Sequence, residues 1–232
     1  MRIRAGTSGF SYDEWKGSFY PEDLAKDRML AYYAERFDTV EINNTFYRMP
    51  KADMLEGWAE QTPAGFRFVL KASRRISHQK KLAGVEDDLS YLWKTSQALG
   101  EKLGPFLVQL PPWLKKDLDR LDGFLEALPD GMRVALEVRS SSWLDEEVYA
   151  RLRDRGVALV VSDTDQGDEP PVVTTAPFGY ARLRRTAYRD DDLEAWLGRF
   201  RAATWEDLWV FFKHEEEGTG PELARRFLDL AG

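Results

Sequence analysis

Pairs of charged or amide side chains, two residues apart, stand at the ends of several apolar runs in the sequence. The pairs are Glu41 and Asn43, Glu137 and Arg139, Arg182 and Arg184, and Lys213 and Glu215. Residues two apart in an extended strand lie on the same face, so each pair predicts a polar patch at a strand end. Single polar residues end three further runs, namely Lys71, Gln109 and Asp163. Carboxylates among lysines and arginines can transfer protons and bind anionic groups.

These residue types indicate an acid–base site for a small anionic, hydroxyl-rich molecule, phosphorylated molecules included. The candidate catalytic residues are Glu137, Glu41, Asp163 and Lys213. Glu137 is the leading candidate for the general base, because burial and neighbouring cations can tune the pKa of a carboxyl group. Lys71 and Lys213 are also candidates for Schiff-base formation, which requires a lysine of lowered pKa. Hydrolase, lyase and isomerase chemistry all stay open.

Aromatic residues accompany these polar strand ends. Tyr12 and Trp15 lie in the first loop, Tyr47 follows the second run and Trp143 follows the fifth. Flat rings beside a polar site suit stacking on a sugar or a base, although the same rings can equally pack the loops. The candidate substrate-binding residues are Tyr12, Trp15, Asn43, Tyr47, Lys71, Gln109, Arg139, Trp143, Arg182 and His214.

The elements that must position these residues alternate between short apolar runs and segments of helical period, which is typical of βα units. The predicted strands are 2–6, 39–46, 66–72, 105–110, 133–138, 158–163, 178–183 and 208–213. Dividing 232 residues by eight gives 29 per unit, close to the ~31 of a ~250-residue barrel. The sequence therefore predicts an α/β fold, a (β/α)8 TIM-type barrel, as a single domain over residues 1–232.

In such a barrel the polar pairs line the lumen at the C-terminal mouth, where barrel enzymes carry their sites. The alternating apolar residues should then face the helices; these are Val40, Ile42, Leu136, Val138, Ala181, Leu183, Val210 and Phe212. A salt-bridge network that merely fills the lumen is the competing interpretation, but aliphatic layers would fill it at lower desolvation cost. The pattern favours a ligand site.

One connection lacks helical period. Residues 163–177 read DTDQGDEPPVVTTAP, so an irregular loop is predicted to replace the helix between strands six and seven. An open, doubly wound sheet is the alternative fold, but the chain has no glycine-rich phosphate loop after its first strand.

Composition excludes several functional classes. The formal charge of −7 disfavours nucleic acid as a partner, and the absence of Cys removes thiolate chemistry and disulfides. With two His, a site of three imidazoles is excluded. No secretory signal or membrane span is visible, so we expect a soluble, cytoplasmic protein without membrane contact. Oligomeric state is left open.

Seven segments, in order, resemble the YecE-like family, also called domain of unknown function 72. They are GTSGFSYDEWKGSFYP at 6–21, TVEINNTFYRMP at 39–50, FRFVLKASRRISHQKKL at 66–82, LVQLPP at 107–112, ALEVRSSSW at 135–143, YARLRRTAY at 180–188 and VFFKHEEEG at 210–218. The resemblance implies a (β/α)8-type barrel and no settled activity. The positions that match the family pattern are Thr7, Tyr12, Trp15, Tyr20, Glu41, Asn43, Thr45, Tyr47, Lys71, His78, Gln109, Glu137, Arg139, Trp143, Arg182, Tyr188, Lys213 and His214.

Other functions remain alternatives. No cofactor is predicted, but an all-oxygen Mg²⁺ site on Glu41, Asp163 and Glu215 would make a metal-dependent hydrolase or a nuclease-like barrel, although nearby cations oppose it. A glycosidase needs two suitably spaced carboxyl groups, and the basic residues exceed what a neutral sugar requires. A non-catalytic ligand- or nucleic-acid-binding module is the third alternative, based on the basic stretch RRISHQKK at 74–81.

Overall fold

The computed structural model describes residues 1–166, 169–214 and 218–232. Its strands are β1 (Arg2–Thr7), β2 (Thr39–Ile42), β3 (Arg67–Lys71), β4 (Leu103–Gln109), β5 (Val134–Glu137), β6 (Ala158–Asp163), β7 (Phe178–Leu183) and β8 (Asp207–Phe212). The eight strands form one sheet in the order β1-β8-β7-β6-β5-β4-β3-β2, and every paired neighbour is parallel. This is a nearly closed (β/α)8 TIM-type barrel, as predicted.

The seam between β1 and β2 closes through a few specific contacts. An isolated parallel bridge joins Ser8 to Glu41, and the Gly9 amide donates to the Glu41 carbonyl at 2.8 Å. The Tyr33 hydroxyl lies under the seam, where it accepts from the Thr7 amide and donates to the Thr39 carbonyl. These bonds tie the first and second strands together where a regular ladder is absent.

The helices surround the barrel and follow the strands in turn. Their bounds are α1 (Met29–Ala34), α2 (Ala52–Glu60), α3 (Glu86–Ser96), α4 (Leu118–Glu126), α5 (Glu146–Arg155), α6 (Asp190–Arg201) and α7 (Thr219–Ala231). Local chemistry sets their ends: Asp145 caps α5 by accepting from the Glu147 amide, and Gly156 ends the helix at a φ of 67°. The strongly amphipathic helices bury their apolar faces against the outer surface of the sheet.

Strand side chains alternate between two hydrophobic clusters. The inner cluster includes Val69, Leu107, Ala135, Val160, Tyr180, Trp209 and Phe211, which fill the lumen. The outer face carries the residues predicted to meet the helices: Val40, Ile42, Leu136, Ala181, Leu183, Val210 and Phe212 are buried, and Val138 is partly buried. The polar residues at the strand ends continue the inner face, so the alternation confirms the predicted lumen side.

The connection from β6 to β7 contains no helix among its described residues, 164–166 and 169–177, as expected. Thr175 secures this segment: its hydroxyl accepts from the Leu159 amide and donates to the Val157 carbonyl, both at 2.8 Å. Val172 and Val173 pack on the outer core where a helix would otherwise lie.

The second strand ends earlier than predicted. The apolar pattern predicts a strand through residue 46, but β2 ends at Ile42 and a single 3-10 turn spans Asn44–Phe46. The Thr45 hydroxyl donates to the Lys71 carbonyl at 2.7 Å, which fixes the turn over the end of β3. The tertiary bond overrides the local β-propensity of this segment.

A glycine at the β1–β2 seam provides a test of the barrel closure. A Cβ at Gly6 would lie 2.3 Å from the Thr39 carbonyl oxygen, so Gly6→Ala must push the two strands apart. We expect the variant to lose ~1–3 kcal/mol of unfolding free energy. Gly57→Ala in α2 is the matched control, because nothing lies within 4 Å of its Cβ position and alanine favours a helix. Urea unfolding of both variants makes the comparison; equal stability would contradict the tight seam.

Candidate functional site

Six of the predicted site residues form one continuous hydrogen-bonded group inside the C-terminal end of the barrel. Their order around the group is Lys71, Gln109, Glu137, Arg182, Glu41 and Asn43. Five of them lie in β3, β4, β5, β7 and β2, and Asn43 follows β2, because parallel strands bring their carboxyl ends to one side of the barrel. We call these six residues the lumen group.

Arg182 is the centre of the lumen group. Its Nη1 donates to Glu137 Oε2 at 2.7 Å, and its Nη2 donates to Glu41 Oε1 at 2.9 Å. The Arg182 side chain is 2% exposed and both carboxylates are fully buried. One guanidinium therefore bridges two carboxylates that would otherwise repel each other in a low-dielectric interior, and Arg184 and Lys71 supply the further positive charge.

The oxygens of Glu41 are saturated by neighbouring donors. Ser8 and Asn43 donate to Oε1 at 2.6 Å and 3.1 Å, and the Tyr180 hydroxyl donates to Oε2 at 2.6 Å. Burial raises the pKa of Glu41, but Arg182 and these hydrogen bonds outweigh burial and lower it below the usual range. Glu41 is thus held as a carboxylate with little freedom to accept a proton.

Glu137 is equally well occupied. Gln109 Nε2 donates to its Oε2 at 2.8 Å, and Arg184 Nη2 and Ser162 Oγ reach Oε1 at 3.0 Å and 3.3 Å. Burial raises its pKa, while Arg182 and Arg184 lower it more strongly, so the pKa of Glu137 is about 2. A base of such low pKa is poorly matched to proton abstraction near neutral pH.

Lys71 differs from the two glutamates, because its pKa is shifted toward neutral pH rather than away from it. Its Nζ donates to Gln109 Oε1 at 2.9 Å and lies 4.4 Å from the centre of the Phe46 ring, and the residue is 9% exposed. Burial lowers its pKa, Arg182 lowers it further, and the attraction of Glu41 and Glu137 offsets only part, which leaves the pKa at about 8. At neutral pH, Lys71 therefore has a larger neutral fraction than an ordinary lysine.

Arg184 shares a strand face with Arg182 by its spacing of two residues, but it is not among the predicted site residues. Arg184 reaches across the end of β6, where it bonds Ser162 as well as Glu137. Its Nε is buried and has no hydrogen-bond partner within the described parts of the chain. The spacing of two from Arg182 already placed it on the lumen face. Ser8 and Tyr180 were also missed, because a lone serine and a strand tyrosine carry no distinctive sequence signal.

More cations stand at the rim of the mouth. Arg139 and Lys213 are exposed, and so is Arg74. Burial lowers the pKa of His78, and the charges of Lys71, Arg74 and Arg139 lower it further, so several cations act on this imidazole. Among the described residues, the rim is rich in positive charge.

Exposed aromatic rings accompany the rim. Tyr47 is 75% exposed and its ring meets that of Phe46 edge-on. Trp113 is 55% exposed, with Lys81 Nζ 5.1 Å from the centre of its ring. Tyr47 is thus exposed after β2, and its role in stacking on a ligand stays a prediction.

Asp163 and His214 lie on the other side of the barrel wall. Asp163 Oδ2 accepts from Tyr188, from Trp196 Nε1 and from Arg185, which ties β6 to α6. His214 Nε2 lies 2.6 Å from the Arg185 carbonyl oxygen, and its ring packs near Tyr188. The strand alternation explains both placements: Ser162 and Lys213, the preceding residues in the chain, take the lumen-side positions.

Two of the predicted ligand-stacking rings belong to the core instead. Trp15 is 1% exposed and packs among the rings of Tyr12, Phe19 and Tyr20. Trp143 is fully buried, and its Nε1 donates to the Leu114 carbonyl at 2.9 Å. Tyr12, half-buried, bonds the Ser8 carbonyl through its hydroxyl at 2.7 Å. These rings support the loops of the mouth rather than line it.

The described residues contain no group of three or more His, Asp or Glu side chains placed to hold a metal ion. The carboxylates of Glu41 and Asp163 lie on opposite sides of the barrel wall. Glu215, the third residue of the Mg²⁺ alternative, lies outside the described residues.

No helix in the described part of the chain is long and apolar enough to cross a membrane.

A polar group enclosed at the C-terminal end of eight parallel strands defines a TIM-type barrel with a candidate site at its mouth. The chain belongs to the family described as "Protein of unknown function DUF72", which matches residues 4–232. This confirms the resemblance identified from the sequence segments.

Relatives extend the comparison. The UPF0759 protein YecE of Escherichia coli strain K12 is 33% identical over 141 residues, which are 58% of this chain and 52% of YecE. The chain thus covers about half the length of that relative. The UPF0759 protein YunF of Bacillus subtilis strain 168 is 24% identical over 213 residues, 86% of this chain and 75% of YunF.

Solved structures share the architecture. A DUF72 family protein from Thermotoga maritima (TM1631) superposes with a TM-score of 0.85 at 26% identity, covering 100% of this chain and 99% of that one. A DUF72 family protein from Enterococcus faecalis (EF0366) has a TM-score of 0.80 at 21% identity, covering 99% and 97%, and shows the same fold.

Replacement of Glu137 tests the charge balance of the lumen group. Glu137→Gln leaves two buried guanidinium groups with one carboxylate fewer, so we expect a loss of ~3–5 kcal/mol of unfolding free energy at pH 7. Because the folded pKa of about 2 lies below the ordinary value of 4.5, the carboxylate stabilises the native protein above pH 4.5. This contribution disappears as the pH falls toward 2.

Urea unfolding at pH 7 and at several points down to pH 3 measures both effects. Glu137→Gln should show a weaker loss of stability with acid than the wild type, with the remaining dependence due partly to Glu41. Glu56→Gln, an exposed position in α2, is the control and should follow the wild-type curve. If Glu137→Gln had the stability and the acid dependence of the wild type, the ion pairs of Glu137 with Arg182 and Arg184 would contribute nothing to folding.

Proposed function

We propose that the C-terminal mouth binds a small anionic molecule that carries hydroxyl groups, phosphorylated molecules included. The observation that supports this most directly is the charge imbalance of the described site. Three cations, Lys71, Arg182 and Arg184, are hydrogen-bonded into a group with only two carboxylates, Glu41 and Glu137. Arg74, Arg139 and Lys213 add positive charge at the rim. An anionic ligand is the natural complement of such a surface.

Within this proposal the two glutamates are positioning residues. Their oxygens are taken up by arginine, amide and hydroxyl donors, and their pKa values lie below the usual range. They fix the direction of the guanidinium groups above a packed floor, which preorganises the cations before a ligand arrives. Glu137 as general base, the first hypothesis from the sequence, has less support than this role.

Hydroxyl recognition would come from the neutral polar groups among the cations. Asn43 is partly exposed, and its amide nitrogen already bonds Glu41, so its carbonyl oxygen can accept from a ligand hydroxyl. The Tyr47 ring offers a face for an apolar edge of the same molecule. Amide acceptors among guanidinium donors suit a molecule with both an anionic group and hydroxyls.

Calorimetric titration with glycerol 3-phosphate tests the proposal. We expect the wild type to bind glycerol 3-phosphate and not glycerol, since the charge provides the affinity. Arg139→Gln should weaken the binding by about tenfold or more, because a charge-assisted hydrogen bond contributes ~1.5–3 kcal/mol.

Arg2→Gln provides the matched control for that titration. Arg2 is exposed like Arg139 but lies at the start of β1, at the opposite end of the barrel, so its loss should leave the affinity unchanged. No binding of glycerol 3-phosphate to the wild type, or equal weakening in both variants, would remove the mouth as an anion site.

Covalent catalysis by Lys71 is a second candidate function, favoured by its pKa of about 8. At pH 7 about a tenth of such amines are neutral, against a far smaller fraction of ordinary lysines. The neutral Nζ would add to a carbonyl carbon of an anionic substrate, and the carbonyl oxygen would leave as water to give an imine. The surrounding cations would hold the anionic group of that substrate.

Borohydride trapping with dihydroxyacetone phosphate tests this chemistry. Hydride reduces an imine to a secondary amine, so intact mass and peptide mapping should locate one adduct on Lys71, with a yield that rises through pH 8. Lys71→Arg should abolish the adduct, whereas Lys213→Arg should retain it. An adduct spread over surface lysines, or none, would leave the site with a binding function only.

A further inference from the structure

A cleft beside the mouth opens through the barrel wall between β5 and β6. It has a volume of about 400 Å³, at the small end of the usual range for sites of small molecules. Its lining includes Arg139, Arg184, Ser162, Val138, Leu144 and Leu159. The cleft therefore combines residues of the mouth with residues of the outer core.

The cleft exists because β5 and β6 separate. Their pairing is limited to Ala135 with Ala158 and Leu136 with Leu159. On the other side of each strand, pairing continues further: β4–β5 pairs to Gln109 with Glu137, and β6–β7 pairs to Asp163 with Leu183. The two strands thus diverge toward their C-terminal ends.

The described residues of the β6–β7 connection form no helix, and this keeps the gap accessible. In a regular unit a helix would cover the outer side of β6, but here an irregular segment with Pro170 and Pro171 borders the cleft. Glu169, also at the border, is paired with Arg199, so its charge is already neutralised.

Cations occupy the inner end of the cleft. Arg184 spans from β7 to Glu137; burial lowers its pKa, Glu137 offsets part of this effect, and the charges of Arg182 and then Arg139 lower the pKa further. Arg184 Nε remains a buried donor without a partner among the described residues. Arg184 itself lines the cleft and its side chain is 13% exposed, so an anionic group in the cleft can approach this incompletely bonded guanidinium.

The outer end of the cleft is apolar. Leu159 is 2% exposed, Val138 is partly buried, and Leu144 is 41% exposed, which is unusual for a large aliphatic side chain beside a cavity. Pro112 completes this side. Apolar atoms of a ligand placed here would gain burial that the mouth alone does not offer.

We propose that the ligand of the mouth is an amphipathic organic anion, whose anionic group binds Arg139 and Arg184 and whose apolar body occupies the β5–β6 cleft. This inference rests on the proposed anion-binding function and adds the chemical class of the ligand. The serine hydroxyls of the cleft at positions 140 and 162 can bond polar substituents of that body.

Calorimetric titration with phenyl phosphate and with inorganic phosphate tests the inference. We expect wild type to prefer phenyl phosphate by about tenfold or more, because the ring is removed from water in the cleft. Ser141→Trp fills the exposed edge of the cleft and should abolish the preference while leaving the affinity for inorganic phosphate within about twofold. Ser141→Ala is the matched control and should keep the preference.

A second variant covers the case in which Ser141→Trp does not fold. Leu144→Gln changes an exposed wall residue without adding charge and should reduce the preference several-fold. Binding of inorganic phosphate without a preference for phenyl phosphate, or a preference that persists in Ser141→Trp, would overturn the cleft inference and leave the mouth proposal intact. Binding of neither probe would remove both proposals.

Discussion

The burial of Arg182 between Glu41 and Glu137 is the constraint on which the C-terminal half of the barrel depends. A charge inside a protein is costly unless groups of opposite charge and hydrogen bonds stabilise it. Here β7 supplies the cation, and β2 and β5 supply the anions. Ser8, Gln109, Asn43 and Tyr180 complete the shell around the two carboxylates. Because every member holds another in place, the cations of the mouth rest on a preorganised floor.

This arrangement separates two tasks that barrel sites often combine. The carboxylates supply structure, since their pKa values are pushed down and their oxygens are occupied. In the proposed anion site, the groups offered to a ligand are Lys71 with its lowered pKa, the rim arginine Arg139 and the incompletely bonded Arg184. A net charge of −7 for the whole chain therefore says little about the local field at the mouth.

Much of this was predictable, and the exceptions have identifiable physical causes. The two-residue alternation of strand side chains predicts that Glu41, Glu137 and Arg182 each face the lumen. Because the strands are parallel, their carboxyl ends bring these three side chains together. The same periodicity assigns Asp163 to the outer wall, because it is the neighbour of the inward-facing Ser162. The prediction of a site role rests instead on its position at the end of a strand. Burial of Trp15 and Trp143 depends on how loops fold back onto the barrel, which no local pattern encodes. The cleft arises from strand divergence, a property of three-dimensional register.

The contacts of Arg182 also bear on how the chain folds. Glu41 lies 141 positions before it and Glu137 lies 45 positions before it. Loop closure over such separations costs conformational entropy before the contacts form, so we expect these ion pairs to form late in folding. A fragment ending after β4 would retain Glu41 without its guanidinium partner, and one beginning at β5 would retain Arg182 with a single carboxylate. The first fragment would keep Lys71 near Glu41 but lose the guanidinium that bonds it, and the second would carry Arg182 and Arg184 with one carboxylate. Neither half retains the complete ion-paired group, which makes this barrel a poor candidate for division into independently stable halves.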